Sequence, residues 1–561
     1  MHAWIRSLFS STAFVTSRDI ESFGIAVFLS AAVYLFAMRY PARAAGLTAS
    51  LRASTKHTGW YVVAAMLIPV VVRLALVPWL PPPQPIIHDE FSHLLAADTL
   101  ALGRLANPPH PLWRHFETNY ILQQPAYASV YPLGQGFILG VGKVLFGSHW
   151  AGLLLSVSLM CGAIAWMLFG CLPAHWAALA GIIAAFQCGL AMEWVDTYYG
   201  GAFTAFGGAL FFGSLCRLRR SPSWSLMLLA GLGWSIVWFT RPFESLLLLA
   251  IGFGIILFQI VRASLRLRTW AGPVAGMLLV LIAAGCVTAL HNKAATGSIM
   301  TLPYQHEQQV YGVPQSLLWQ APVREPDLAV PEQRAMYLWQ REMKARQVNR
   351  PFHHLATITY MVWSFFVAPW YAIPFLMLVF LRRDPLIILG LGSVALAIAL
   401  DALYPYFFVR YVAAYSCVFF FLIARGLMKL RQWTPRGRVI GPIFVLFLVF
   451  GGSSFAILNL APTKVMLHIA PKRADTPRRQ ISDKLQREGG QHVVFVRYGP
   501  GHNFGEELVY NAADIDSSPV VWCRATDLAD EAEVIRYYKG RKFWLVDIDR
   551  LGRFSIVPYK V

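Results

Sequence analysis

Charge is what this sequence has least of. Only 14% of its 561 residues are Asp, Glu, Lys or Arg, against 57% that are hydrophobic, and the mean hydropathy is +0.50. A soluble chain of this length needs a polar surface that such a composition cannot supply, so most of the sequence must be dissolved in lipid. Hydrocarbon offers backbone groups no hydrogen-bond partners, which restricts the spanning segments to helices or a closed barrel. The alternation of a barrel is absent, and apolar runs of about 20 residues select helices.

Acidic residues are scarcer still, 29 against 48 Lys and Arg, for a formal net charge of +19. In a soluble protein that excess would suggest nucleic acid. Here the bases cluster in short loops between apolar runs: Arg39, Arg43, Arg52 and Lys56; Arg217, Arg219 and Arg220; Arg262, Arg266 and Arg268; Arg382 and Arg383; Lys429, Arg431, Arg436 and Arg438. That is the positive-inside pattern, and no basic stripe with interleaved aromatics accompanies it, so a nucleic-acid partner is excluded. Cysteine is also sparse. Six of the seven, Cys161, Cys171, Cys188, Cys216, Cys286 and Cys417, lie in or beside apolar runs and read as small buried hydrophobes, and only Cys523 falls in a polar stretch. No zinc-ligand spacing occurs, and no Asn-X-Ser/Thr sequon, which favours a bacterial inner membrane over a secretory compartment. The first apolar run leads into a basic loop rather than a small-residue cleavage site, so it reads as a signal anchor.

About twelve apolar runs can be placed: Phe23–Met38, Trp60–Leu80, Trp150–Gly170, Ala174–Met192, Gly201–Cys216, Trp224–Thr240, Phe243–Val261, Ala271–Leu290, Ile358–Leu381, Leu386–Ala402, Tyr406–Ala424 and Val439–Asn459. With the basic loops in the cytoplasm, both termini fall outside, which requires an even number of spans. A semi-apolar run, Tyr131–Gly147, would upset that count if it crossed, so it is expected to lie at the interface. The expected organisation is an extra helix and cytoplasmic loop over 1–59, a transmembrane domain over 60–461 with external loops at 81–149 and 291–356, and an external domain over 472–561. In that last stretch His492–Tyr498, Val520–Arg524 and Phe543–Ile548 read as strands and Asp530–Tyr538 as an amphipathic helix, a small α/β unit. The fold class expected is therefore an all-α polytopic membrane protein with a small soluble C-terminal α/β domain.

The sharpest local feature is Ile87-His88-Asp89-Glu90-Phe91, two adjacent carboxylates where the chain leaves the second apolar run. Acids there can simply be solvated or favour a helix N-terminus. They can equally supply a general base, Asp89, for an acceptor hydroxyl, with Glu90 orienting substrate or a metal.

The stretch His88-Asp89-Glu90-Phe91-Ser92-His93-Leu94, the following Leu100-Ala101-Leu102-Gly103-Arg104-Leu105-Ala106-Asn107-Pro108, and then Tyr131-Pro132-Leu133-Gly134 together resemble the first external loop of GT-C glycosyltransferases. The branch it resembles holds protein O-mannosyltransferases and lipid A aminoarabinose transferase, and the resemblance covers about Trp60 to Thr240. It implies a polyprenyl-phosphate sugar donor, inverting transfer and Asp89 as base; the acceptor expected is a hydroxyl of an envelope glycan, lipid or protein, and His88 and Tyr131 are expected to bind substrate. It implies no certain cofactor and leaves a divalent cation open. One departure stands out. The aminoarabinose branch has a Lys before its Pro-Pro pair where this chain has Val130-Tyr131-Pro132, so the phosphate contact must come from elsewhere.

Arg241, in Thr240-Arg241-Pro242-Phe243-Glu244, and Arg410, in Tyr404-Pro405-Tyr406-Phe407-Phe408-Val409-Arg410-Tyr411, are the candidates. Both fall on the external side, where the positive-inside rule does not explain them, and an arginine at membrane depth costs roughly 2.5–3.5 kcal/mol. Arginine also binds phosphate oxygens bidentately. The alternative is an ion pair with Glu244 or Asp401. Asp196, in Glu193-Trp194-Val195-Asp196, could bind acceptor or belong to an ordinary aromatic belt. His306 and Glu307, in Tyr304-Gln305-His306-Glu307, could bind sugar hydroxyls or be plain polar loop. His88, His93, His110, His115 and Glu117 crowd one loop but match no metal-ligand spacing, so no metal site is assigned. The rival to a transferase is a polytopic transporter or lipid flippase, against which the polar chemistry clusters in one loop and no two matching halves are seen.

Overall fold

The computed structural model describes residues 17–40, 57–219, 223–262, 267–312, 317–321, 325–367, 369–434, 440–458, 474–526 and 528–559. The basic positions Arg43, Arg52, Lys56, Arg220, Arg266, Arg436 and Arg438, and the expected domain boundary between 461 and 472, lie outside them.

In chain order the helices are α1 (Ser17–Arg39), α2 (Thr58–Ala75), α3 (His88–Ala101), α4 (Leu133–Phe146), α5 (His149–Cys171), α6 (Ala174–Phe186), α7 (Ala202–Leu218), α8 (Trp224–Thr240), α9 (Pro242–Arg262) and α10 (Leu267–Thr296). Then follow α11 (Pro303–Tyr311), α12 (Pro331–Asn349), α13 (Pro351–Phe366), α14 (Ala372–Leu376), α15 (Pro385–Asp401), α16 (Ser416–Arg431), α17 (Ile440–Leu458), α18 (Pro477–Glu488) and α19 (Leu528–Tyr537). Among the described residues, five helices are long and apolar enough to cross a membrane, at Thr58–Ala75, His149–Cys171, Trp270–Thr296, Val409–Arg431 and Ile440–Ile457, and eight more are apolar but shorter. This is an integral membrane protein.

Three expectations need correction. The single run expected over Ile358–Leu381 is broken between α13 and α14, next to Pro369, which has no N–H to continue a helical ladder. The second long loop, 291–356, is largely helical, because α10 runs on to Thr296 and Pro303 and Pro331 each sit at the first helical position, where a missing N–H costs nothing. Cys171 and Cys216, expected as isolated buried thiols, are joined in a disulfide between the ends of α5 and α7.

The first loop carries much of what shapes the cavity wall. It contains α3, a two-residue hairpin pairing β1 (Ile121–Leu122) with β2 (Ala128–Ser129), and α4. Small residues let α4 lie directly on α3: a Cβ on Gly136 would meet the Cβ of Ala96 at 2.5 Å, and one on Gly140 the carbonyl oxygen of Ala97 at 3.0 Å. Close approach through small side chains lets the two helix backbones pack directly on each other.

The C-terminal unit is a four-stranded sheet in the order β4 (Val520–Arg524), β3 (His492–Tyr498), β5 (Lys542–Ile548), β6 (Phe554–Pro558). Strand β3 pairs in parallel with β4 and β5, and β6 returns antiparallel along β5. Parallel strands are covered on both faces, and here the alternation divides them cleanly. Val494, Val496, Trp522 and Trp544 pack under Ile481 and Leu485 of α18. Val493, Phe495, Val521 and Cys523 pack with Val534 of α19 and with Leu95, Leu112, Phe116 and Ile121 of the first loop. The C-terminal unit and the first loop thus share one core.

Replacing Gly136 with leucine should push α4 off α3 and cost about 1–3 kcal/mol, seen as a lower unfolding midpoint in detergent. Gly254→Leu, at a position with nothing within 4 Å, should leave the midpoint unchanged. Equal midpoints for the two variants would contradict this packing.

Candidate active site

A cavity of 570 Å³ lies where α3, α4, α8, α9, α12 and the segment leading into α16 meet. Its walls are mostly aromatic and apolar, including Tyr120, Tyr199, Trp238, Phe243, Trp339 and Phe408, with a small set of charged groups among them. A concave, largely apolar site with few converging polar groups is the usual form of a ligand pocket.

Asp89 stands at this cavity with 18% of its side chain exposed. It sits in the first turn of α3, whose N-terminus favours negative charge. One carboxylate oxygen accepts a hydrogen bond from the Tyr131 hydroxyl, and the other lies 3.4 Å from Nη2 of Arg410. Burial and the Asp89 charge push the Tyr131 and Tyr120 phenols well above their ordinary range, so Tyr131 stays an O–H donor. The Tyr131 ring stacks on His93, with centroids 4.4 Å apart. His93 also lines the cavity; burial, then the charges of Arg410 and Arg241, push its imidazole down to about 3, so it is neutral.

The Arg410 guanidinium is held between the rings of Tyr199 and Phe408, 4.2 Å from each centroid, and its Nε has no hydrogen-bond partner among the described residues. Arg241 lies 3.9 Å over the Tyr411 ring. It also lines the cavity, as do Glu244 and Asp401. Neither acid forms an ion pair with Arg241 within 4 Å among the described residues. The cavity thus holds two aromatic-braced guanidiniums, Arg410 against the single carboxylate of Asp89.

Other expected residues fall elsewhere. Glu90 is fully buried and does not line the cavity; its oxygens accept the backbone N–H groups of Ile86 and Tyr198 at 3.0 and 3.2 Å, tying two loops together. Asp196 pairs with the buried Arg73 of α2 at 3.1 Å, outside the cavity. His306 rests against the carbonyl oxygen of Gln124 at 3.3 Å, also outside it. His88 does line the cavity: its Nε2 donates to the Phe504 carbonyl at 2.6 Å, and burial holds its pKa below the ordinary value.

Glu307 lies behind the cavity wall. One oxygen accepts the Tyr120 N–H at 3.0 Å and the other has no partner among the described residues. Burial, opposed by that N–H and reinforced by Asp89, pushes its carboxyl up to about 8.

Among the described residues no three His, Cys, Asp or Glu side chains are grouped to hold a metal ion. His110 turns to Asp516 at 3.1 Å, and a guanidinium already occupies one side of Asp89. This donor set does not fit a divalent cation.

No family model matches the chain, and no curated protein does. Among solved structures the chain is similar to ArnT from Cupriavidus metallidurans in the apo state, at 12% identity and a TM-score of 0.46 over 88% of this chain and 93% of that one. The same protein bound to undecaprenyl phosphate gives 12% and 0.44 over the same shares. An oligosaccharyltransferase from Archaeoglobus fulgidus in the apo form gives 11% and 0.41 over 78% of this chain and 62% of that one.

The folded protein holds a proton on Glu307 that the unfolded chain, titrating near 4.5, has already lost at neutral pH. The stability contributed by this neutral acid is full below about pH 4.5 and declines as pH rises toward about 8, by an amount on the order of 4 kcal/mol. Thermal midpoints in detergent should therefore fall more between pH 5 and 8 for wild type than for Glu307→Gln. Parallel pH profiles would contradict this environment.

Proposed function

We propose that the protein is a membrane glycosyltransferase that moves a sugar from a polyprenyl-phosphate donor to an acceptor hydroxyl, with inversion, on the external face of a bacterial inner membrane. The observation that carries the reading is Asp89 at an aromatic-walled cavity with Arg410 against it and Arg241 in the same wall.

Each part of that chemistry has a residue suited to it. The donor's lipid tail remains in the bilayer while its phosphosugar enters the cavity, where aromatic rings stack on the sugar. In the donor-free protein Asp89 is the anion that Arg410 holds; the arriving phosphate presents a second anion to the same guanidinium and to Arg241. The acceptor O–H gives its proton to Asp89, its oxygen bonds to the anomeric carbon, and the bond from that carbon to the phosphate oxygen breaks with its electron pair going to phosphate. Preorganised guanidiniums stabilise the charge that develops there. Tyr131, kept protonated, holds one oxygen of Asp89 and leaves its orientation fixed.

A general base contributes about 10²–10⁴-fold. Purified wild type, given a panel of radiolabelled polyprenyl-phosphate pentoses and hexoses with crude envelope acceptors, should transfer label, and Asp89→Asn should lose transfer by that factor while keeping its unfolding midpoint. Undiminished transfer by Asp89→Asn would remove Asp89 as base; absence of transfer from every donor would favour a transporter. Arg410→Gln should act differently, weakening donor binding as well as turnover, because its guanidinium is assigned to the phosphate throughout.

A further inference from the structure

We infer that the C-terminal domain is a working part of the active site, with Glu507 acting through Thr118 and His88 to hold Asp89 in place. The inference rests on the reading of Asp89 as the base.

The helix that carries Asp89 has no side-chain cap at its N-terminus. Besides the bond from the Ile86 N–H to Glu90, what holds its start comes from the C-terminal domain, 416 positions later in the chain at the His88–Phe504 contact. Ile87 pairs in an antiparallel bridge with Glu506, and the Glu507 N–H donates to the Ile86 carbonyl at 3.1 Å. His88, the residue before Asp89, donates from Nε2 to the Phe504 carbonyl, and its Nδ1 faces the Thr118 hydroxyl at 3.2 Å. That hydroxyl donates to Glu507 at 2.5 Å. Gly505, from the same C-terminal loop, lines the cavity itself.

Glu507 is anchored in turn. Its carboxylate takes Nη2 of Arg524 at 2.6 Å and the Tyr498 hydroxyl, and Arg524 reaches Glu332 of α12 at 2.9 Å and the Glu117 carbonyl at 2.5 Å. Both partners of the ion pair are almost fully buried, with side-chain exposures of 6% and 2%. Arg478 makes a further tie, donating to the carbonyls of Leu508 and Tyr510 while lying 5.4 Å over Phe91 of α3. A link of this kind sets position: a reacting group displaced by about 1 Å can lose on the order of 10²-fold in rate. Glu507 also meets His88 directly, 3.7 Å from Nδ1, and Thr118 sits between the two; its single hydroxyl proton goes to Glu507, so it holds the His88 ring by contact, and the Arg524–Glu507 pair and the backbone pairing do not depend on that hydroxyl.

The test compares full-length Thr118→Val, Thr118→Ser and Asp89→Asn with wild type, using the radiolabelled polyprenyl-phosphate pentose or hexose that wild type transfers, and measures kcat, KM for that donor and the unfolding midpoint. Thr118→Val should lose about 10–100-fold in kcat with KM within about twofold of wild type, and Thr118→Ser, which restores the hydroxyl, should recover most of the loss. Wild-type kcat in Thr118→Val overturns the inference. So does a loss in which Thr118→Ser fares no better than Thr118→Val and the midpoint falls for both, which is a structural role only. Equal transfer by wild type and Asp89→Asn is a different failure: it removes the base assignment on which this inference stands.

Discussion

A carboxylate at the edge of a hydrocarbon layer has to be surrounded by donors, and the arrangement of this chain around Asp89 follows from that constraint. The helix N-terminus, the Tyr131 hydroxyl and the Arg410 guanidinium each come from a different segment. Arg410 in turn needs its own support, because a cation this deeply buried is costly unless braced; the rings of Tyr199 and Phe408 supply it. Each of these side chains then fixes the segment that carries it, so the cavity is assembled by the partners that one acidic group requires.

Two other buried acids show that burial alone does not decide how a carboxyl behaves. Glu307 and Glu507 are both removed from water. Glu307 receives a single backbone N–H and is pushed up to about 8, which makes it a neutral acid at physiological pH. For Glu507, burial also pushes upward, but Arg524, His88, Thr118 and Tyr498 outweigh it and hold the carboxyl below its ordinary range. The number and charge of the donors win over desolvation in one case and not in the other. The consequence is architectural: a charged Glu507 can join three segments of the chain, whereas a neutral Glu307 mainly fills a wall.

Much of the cavity is legible in the sequence. His88, Asp89, Tyr131, Arg241 and Arg410 are all expected at the site from their motifs, and all line one cavity. The strands His492–Tyr498 and Val520–Arg524 have the bounds that their alternation predicts. Where expectation and structure part, the causes are local. Adjacent residues on a helix point about 100° apart, so with Asp89 facing the cavity Glu90 has to face elsewhere. Asp196 belongs to Arg73, and nothing near either residue in sequence announces that they meet. His306 and Glu307 lie on α11 rather than on a loop, and the helix turns them away from the cavity. Strand β6 and helix α18 leave little signal; the first is short and largely exposed, the second strongly polar. The tie between His88 and Phe504 spans 416 positions, and no periodicity within either segment encodes it. For the same reason nothing in the sequence singles out Thr118 or Glu507, which acquire their place only through distant partners.

At the centre of this reading, the cavity holds a lipid phosphate between Arg410 and Arg241 with the linked sugar beside Asp89. An electron cryo-microscopy structure of the purified protein with a non-transferable polyprenyl-phosphate sugar would test it most directly. Phosphate density is predicted within hydrogen-bond reach of both guanidiniums, with the anomeric carbon on the Asp89 side of it. Phosphate density outside the cavity, or a lipid seated with its sugar turned away from Asp89, would contradict it.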